Sequence, residues 1–255
     1  MRRLENKTTI ITGGSGGIGA ATGRKFAAEG ANVLLVDLDE NALREAVASA
    51  ESDRVSYCVA NVADASQTEA YVRTAVERYG GVDVMFANAG IEGTIKPIAE
   101  TSEADFDRVI AVNVKGVWLS IKYAIPELVR RGGGSIIVCS SVAGLIGYPN
   151  LAPYVASKHA ALGLTRAAAV ELAASKIRVN AIHPGPIANR MMDSLEKQLS
   201  PDAPEAVRSG MEDSVPLHRY GTNEEIANLA LFLASDESSY STGASFVADG
   251  GYVAR

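Results

Sequence analysis

The chain has 255 residues, with 24 Lys and Arg against 30 Asp and Glu, giving a net charge of −6. Apolar residues make up 47% and charged residues 21%, a balance that supplies a full core and excludes chain-wide disorder. The acidic balance excludes a basic nucleic-acid-binding face, and no apolar run approaches the roughly 18 residues of a membrane span. Arg2 and Arg3 are followed by no apolar segment, so no signal peptide is expected. Cys58 and Cys139 are too few for a metal site or a disulfide framework, which predicts no metal and a reducing, cytoplasmic setting.

In chain order, strands are expected at 8–11, 32–36, 55–59, 82–86, 135–139, 178–182 and 245–247. Most are continuous apolar runs without alternation, as strands covered on both faces should be. Helical patterns occupy roughly 17–29, 40–50, 66–79, 103–131, 153–174 and 223–234 between them. Gly30, Gly80 and Gly132 follow three of these, where a left-handed residue is wanted. The alternation predicts one α/β domain over 1–255. Its form is a Rossmann-type, doubly wound parallel sheet of about seven strands with helices on both faces. Residues 188–216 break the rhythm, with no strand and with Met191, Met192, Leu195 and Leu199 at helical spacing. A connection this long is usually functional, and 189–216 is read as a substrate-binding lid, the alternative being a surface excursion that only packs.

The first strand runs into Thr12-Gly13-Gly14-Ser15-Gly16-Gly17-Ile18-Gly19 and then a helix. Glycines let a pyrophosphate approach the backbone, and the N–H groups opening the helix favour the anion. Gly13, Ser15, Gly17, Ile18 and Gly19 are the candidate phosphate cradle. Asp37, at the end of the second strand, stands where an acid takes the ribose hydroxyls. The same stretch matches the nucleophile elbow G-x-S-x-G, but His159, His183 and His218 lie in no triad context.

Tyr154 and Lys158 are four apart on one helix face. A tyrosine hydroxyl ordinarily ionises near 10, so acid–base work at neutral pH needs a nearby cation, and Lys158 supplies one. Ser140 and Ser141 follow the fifth strand, and Asn88 follows the fourth, at the carboxyl edge where an α/β site belongs. Asn113 sits in mid-helix, where asparagine is a poor choice without a reason.

Together these motifs resemble the short-chain dehydrogenases/reductases along essentially the whole chain. The match rests on Thr12-Gly13-x-x-x-Gly17-x-Gly19, Asn88-Ala89-Gly90, Asn113, Ser141, Tyr154-x-x-x-Lys158, Pro184-Gly185 and Asp249-Gly250-Gly251. The resemblance implies a hydride-transferring oxidoreductase with Tyr154 as general acid/base. Lys158 would assist Tyr154 and bind the nicotinamide ribose. Ser141, chosen over Ser140 by its separation from Tyr154, would bind the substrate oxygen, and Asn113 would hold a water of the proton relay. It also places Asn61, Val62, Asn88, Gly90, Pro184, Gly185 and Ile187 around the cofactor. Asn61 departs from the family's usual Asp, and Asn189 from its Thr, so the family's contact at 189 is not carried over.

Asp37 and the neutral Ser15 point to NAD as coenzyme. The 93–97 and 191–204 segments are similar to those of reductases and dehydrogenases acting on cyclic ketones and cyclohexanol-like alcohols. The expected substrate is therefore an apolar secondary alcohol or ketone, walled also by Ile91, Val142 and Tyr148, with Arg190 the one candidate for a carboxylate. The alternative is an NADPH-dependent reductase of 3-oxoacyl groups on acyl-carrier protein, which Arg130 and Arg131 could greet. A nucleotide-sensing module without activity is a third reading, opposed by the complete set Asn113, Ser141, Tyr154 and Lys158. Small residues such as Ala160, Ala161, Ala167, Ala168 and Ala169, with the resemblance, imply helices paired across a two-fold axis in a homodimer or homotetramer. Cys58, Cys139 and Trp118 are expected to pack, His159 to be structural, and Arg130 and Arg131 to form a solvated helix end.

Overall fold

A computed structural model describes residues 2–254; Met1 and Arg255, the ends of the expected domain, lie outside the described residues. The strands are β1 (Thr8–Thr12), β2 (Asn32–Asp37), β3 (Val55–Val59), β4 (Val84–Ala87), β5 (Gly134–Cys139), β6 (Ile177–Pro184) and β7 (Ser245–Ala248). The helices are α1 (Gly17–Ala28), α2 (Glu40–Ser49), α3 (Ala65–Tyr79), α4 (Glu103–Ile110), α5 (Gly116–Arg130), α6 (Ala152–Leu172), α7 (Arg190–Leu199), α8 (Pro204–Ser214) and α9 (Asn223–Ala234). The strands form one seven-stranded sheet in the order β3-β2-β1-β4-β5-β6-β7. Every pairing is parallel.

The uninterrupted apolar runs follow from the register. Leu34, Ile10, Met85 and Ile136 align across the sheet, as do their neighbours Leu35, Ile11, Phe86 and Ile137. The first row packs with Tyr71 and Val72 of α3, Val117 and Leu128 of α5, and Ala161 of α6. The second packs with Phe26 of α1, Leu43 of α2 and Ile226 of α9. Successive strand residues thus enter opposite cores, so no polar alternation survives. Burying one such large side chain contributes about 1.5–3 kcal/mol. The strand order reverses between β1 and β4, which opens a crevice at their carboxyl ends. The loops after both strands meet there.

The expected helix over 103–131 is divided. Between α4 and α5, Ala111–Lys115 winds as a π-helical turn, with backbone angles remaining right-handed throughout. Such a turn re-aims the side chains it carries, and Asn113 is one of them. Gly30, Gly80 and Gly132 take φ of 92°, 83° and 84°, as their places after helices require. The stretch 188–216 contains two helices, α7 and α8, of which only α7 has the methionine-leucine spacing.

Three packing expectations are met in part. Cys58 packs against the core but is only half-buried because β3 is an edge strand, whereas Cys139 in the sheet interior is buried. Trp118 is 44% exposed; it lies one position off the stripe of Val117, Ser120, Ile121, Ala124 and Leu128 that α5 buries. Lys122 Nζ sits 5.0 Å from its ring centroid. Arg131 is not merely solvated. Its Nε and Nη2 each donate at 3.0 Å to the two oxygens of Asp83, whose carboxylate is buried and also accepts from Thr8 N at 2.8 Å. That fork is a structural tie and leaves Arg131 poorly placed to greet a partner.

Candidate active site

The loops at the switch point are sewn together before any ligand enters. Thr12 Oγ1 accepts from the N–H groups of Asn88 and Ala89 at 3.0 and 3.1 Å. Asn88 Nδ2 donates to the main-chain oxygens of Thr12 and Gly13 at 3.0 and 3.2 Å. A Cβ on Gly13 would lie 2.9 Å from Ala89 Cα, and Gly13 has a φ of 64°, so only glycine closes the turn. Gly19 faces the Gly13 carbonyl too closely for any side chain.

Helix α1 begins without a side-chain cap. So do α5, α6 and α8, while α2, α3, α4, α7 and α9 are capped by Asp39, Asp64, Ser102, Asn189 and Thr222. The opening of α1 over Gly17, Ile18 and Gly19 therefore suits an anionic pyrophosphate. Asp37 stands at the adjacent end of β2. Its Oδ2 accepts from Ser15 N and Ser15 Oγ at 3.1 and 2.6 Å, and its Oδ1 from Leu38 N at 2.8 Å.

The other predicted cofactor residues surround the same edge. Asn61 Oδ1 accepts from Ala63 N at 2.9 Å, which holds the turn leading to buried Val62. Val62 in turn packs so closely on Gly116 that a Cβ there would meet it at 2.8 Å. Gly185 lies against Asp249, where a Cβ would meet Cα at 2.7 Å. Buried Ile187 bridges to Gly221. Asn189 caps α7, its Oδ1 accepting from Met191 N at 3.0 Å, and its amide donates to Asn223 Oδ1 at 3.4 Å.

Across the crevice, Ser140 and Ser141 leave β5. Ser140 Oγ donates to the Lys158 main-chain oxygen at 2.9 Å, fixing α6 to the sheet. Ser141 Oγ accepts from Ala143 N at 3.1 Å, so its own hydrogen is available to an oxygen in the cleft. Lys158 is buried, and Nζ donates to the Cys139 carbonyl at 2.8 Å, with the ammonium 5.5 Å from the Tyr154 ring centroid. One N–H of three is thereby used. The Tyr154 hydroxyl lies 4.0 Å from Met191 Sδ on α7.

Asn113 is buried, and both ends of its amide are engaged. Oδ1 accepts from Ile91 N and Nδ2 donates to Ile91 O, each at 2.9 Å. Nδ2 also donates to Ser157 Oγ at 3.0 Å, and Ser157 donates to the Tyr154 main-chain oxygen at 2.7 Å. Asn113 is thereby joined through Ser157 to the main chain of Tyr154.

Further residues join it unannounced. Gln198 of α7 accepts from Ile95 N at 3.1 Å and donates to Gly93 O at 3.5 Å, tying α7 to the loop after β4. Buried Glu196 accepts from the Tyr220 hydroxyl at 2.8 Å. Its signal was present: Met192, Leu195, Glu196 and Leu199 share one helical stripe. Leu199, expected on the apolar face, is 51% exposed. Tyr252 stacks on Tyr148 with centroids 6.2 Å apart and planes at 11°. Burial and the hydrogen bond to Tyr252 push the Tyr148 hydroxyl well above its ordinary value. Arg190 is exposed. No group of three or more His, Cys, Asp or Glu side chains among the described residues could hold a metal ion. No helix of the described residues is long and apolar enough to cross a membrane.

A family model described as enoyl-(acyl carrier protein) reductase matches residues 13–253. Levodione reductase of Leifsonia aquatica is 39% identical over 256 residues, covering 99% of this chain and 96% of that protein. The 3-oxoacyl-acyl-carrier-protein reductase of Thermotoga maritima is 42% identical over 253 residues, covering 98% and 99%. Cyclohexanol dehydrogenase of an Acinetobacter strain is 36% identical over 255 residues, covering 99% and 97%. A crystal structure of levodione reductase superposes with a TM-score of 0.97, at 39% identity and 99% coverage of both chains. With the uncapped glycine turn, the Tyr154–Lys158 pair and these full-length matches together, the chain belongs to the short-chain dehydrogenase/reductase family of NAD(P)-using oxidoreductases.

Proposed function

We propose that this enzyme interconverts a secondary alcohol and a ketone with NAD(H), using Tyr154 as general acid/base. The observation that carries this reading is the buried Lys158 ammonium, anchored on the Cys139 carbonyl 5.5 Å from the Tyr154 ring. The pair sets a proton-bearing hydroxyl and a fixed cation on one face of α6, the arrangement that general acid–base exchange with a substrate oxygen uses. The bound coenzyme supplies a hydride acceptor or donor at the nicotinamide ring. In reduction, Tyr154 donates its hydroxyl proton to the carbonyl oxygen. Ser141 Oγ–H donates a hydrogen bond to the same oxygen as negative charge develops there. In oxidation the phenolate takes the proton back. The remaining N–H groups of Lys158 serve the nicotinamide ribose. Since the Asn113 amide is already engaged, a water in the proton relay is held by the Asn113 main chain.

Gly13, Ser15, Gly17, Ile18 and Gly19 bind the pyrophosphate side, and Asp37 binds the adenosine ribose. Asn61 and Val62 flank the adenine, Asn88 and Gly90 shape the floor, and Pro184, Gly185 and Ile187 flank the nicotinamide. Residues 189–216 act as a lid within one domain. Met191 beside the Tyr154 hydroxyl, with Tyr148 near the same group, supports an apolar alcohol or ketone as substrate. The free thiols and acidic balance support a cytoplasmic enzyme. The NADPH-dependent reduction of a carrier-bound 3-oxoacyl group is the competing reading, favoured by the Thermotoga relative and opposed by Asp37. Turnover of a panel of cyclic alcohols, cyclic ketones and 3-oxoacyl thioesters with each coenzyme decides between them. Activity on cyclic substrates with NAD(H) supports the proposal, and activity confined to thioesters with NADPH refutes it.

A further inference from the structure

His183, next to last in β6, takes no part in the chemistry above although it is fully buried. Its Nδ1 lies 2.8 Å from the main-chain oxygen of Ser141. A carbonyl oxygen only accepts, so Nδ1 carries the hydrogen and the ring is the Nδ1–H tautomer. Its Nε2 is then a bare lone pair, and it is the buried side-chain nitrogen among the described residues that no donor reaches. An unpartnered buried nitrogen destabilises the fold, and an apolar side chain of similar shape would avoid that cost. The retained imidazole therefore has to be explained by its other nitrogen.

That nitrogen grips Ser141, the residue whose hydroxyl is assigned to the substrate oxygen above. The Ser141 carbonyl accepts from His183 on one side and from Gly144 N, at 2.8 Å, on the other. Oγ of Ser141 accepts from Ala143 N within the same turn. Ser141 is thus clamped between β6 and the turn that follows it. The ring is also kept neutral. Burial first, and then the charges of Lys158, Arg166 and His159, hold the imidazole below its ordinary value, outweighing the pull of the Ser141 carbonyl. A neutral ring donates the same single bond across the working pH range.

We propose that His183 is a positioning residue: as the neutral Nδ1–H tautomer it fixes Ser141 and so aims the hydroxyl that binds the substrate oxygen. The proposal rests on the role given to Ser141 above. A small displacement of a group at the reacting centre costs up to about a hundredfold in rate. His183→Ala should lower kcat by about ten- to a hundredfold while the affinity for NAD(H) is unchanged. His183→Asn, whose amide N–H can replace Nδ1–H, should recover most of the loss.

The test is a double-mutant cycle of His183→Ala with Ser141→Ala, read in kcat, with His183→Asn alongside. If His183 works through the Ser141 hydroxyl, His183→Ala costs less than about twofold once that hydroxyl is gone. A purely structural histidine would cost the same in both backgrounds, and that result overturns the proposal while leaving Ser141 in its role. A Ser141→Ala variant with full turnover removes the role of Ser141 and the proposal with it. Nitrogen-15 NMR of the intact enzyme gives a reading independent of any variant's folding. The expected signal shows His183 with Nδ1 protonated and Nε2 bare, and the opposite tautomer overturns the proposal.

Discussion

Ser15 donates both its N–H and its hydroxyl to a single oxygen of Asp37, at 3.1 and 2.6 Å. This pair closes the glycine turn against the end of β2 and presents a carboxylate where the adenosine ribose would lie. Both ribose hydroxyls can donate to that carboxylate once the Ser15 hydroxyl turns aside. A 2′-phosphate would meet like charge instead. One unit of like charge at about 4 Å costs roughly 4 kcal/mol at an effective dielectric near 20, and solvent at this half-buried site reduces it. The expected preference in kcat/KM is at least about tenfold for NAD(H), which corresponds to about 1.4 kcal/mol. Asp37→Ser should narrow it. Equal use of NADPH by the wild type would contradict the assignment.

The proposed lid over 189–216 is tested by mobility and by charge. Its α7 is bridged to the loop after β4 by Gln198 and anchored behind by Glu196 and Tyr220. Hydrogen exchange across 189–213 should slow when NAD and substrate are added. Met192→Glu should raise KM for an apolar ketone at least about tenfold, since a carboxylate is costly to desolvate. Exchange already slow in the free enzyme, with KM unchanged by the charge, would make the stripe structural.

Assembly follows from what the helices leave outside. Phe106 of α4, Trp118 of α5 and Val170 of α6 are 45%, 44% and 84% exposed. Each is a large apolar side chain left outside on its helix, where a second copy of the chain can cover it. Light scattering at micromolar concentration should give a dimer or tetramer, and a monomer would contradict this.

A pH dependence of stability is expected at the start of α9. Glu225 is held down to about 2 from its ordinary 4.5, first by the Arg219 guanidinium and then by the Thr222 N–H. A lowered carboxylate contributes stability that is complete above its ordinary value and is lost as pH falls toward the folded value. Glu225→Gln should therefore destabilise the enzyme by about 0.5–1 kcal/mol near neutral pH, a modest figure because the pair is half-exposed. The difference from wild type should shrink between 4.5 and about 2. A difference in urea unfolding that stays constant across that range would place the effect elsewhere.

The parts of this enzyme that read directly from sequence are those governed by local rules. Ile10 and Ile11, adjacent and both apolar, announce a strand with two covered faces, and Gly80 announces a helix end. The Tyr154–Lys158 pair is legible because helical spacing alone brings it to one face. Asn113 was visible as an anomaly but not as a solution, because its reason is Ile91, 22 residues away. The tie of Arg131 to Asp83 was hidden for the same cause, since Asp83 lies 48 residues earlier. Tyr252 and Gln198 carried no local signal, as their partners are set only by how the C-terminal turn and α7 fold back over the sheet. That Cys58 is only half-buried had no local signal, because strand order, which makes β3 an edge, is a property of the whole sheet.

Tyr154→Phe removes the hydroxyl proton and keeps the ring. General acid–base catalysis contributes about 10²–10⁴-fold. Steady-state turnover of a cyclic ketone with NADH, together with the dissociation constant for NADH, should show kcat reduced by at least that order and coenzyme binding little changed. Turnover near wild type in Tyr154→Phe would contradict the central claim and move the acid/base to another residue.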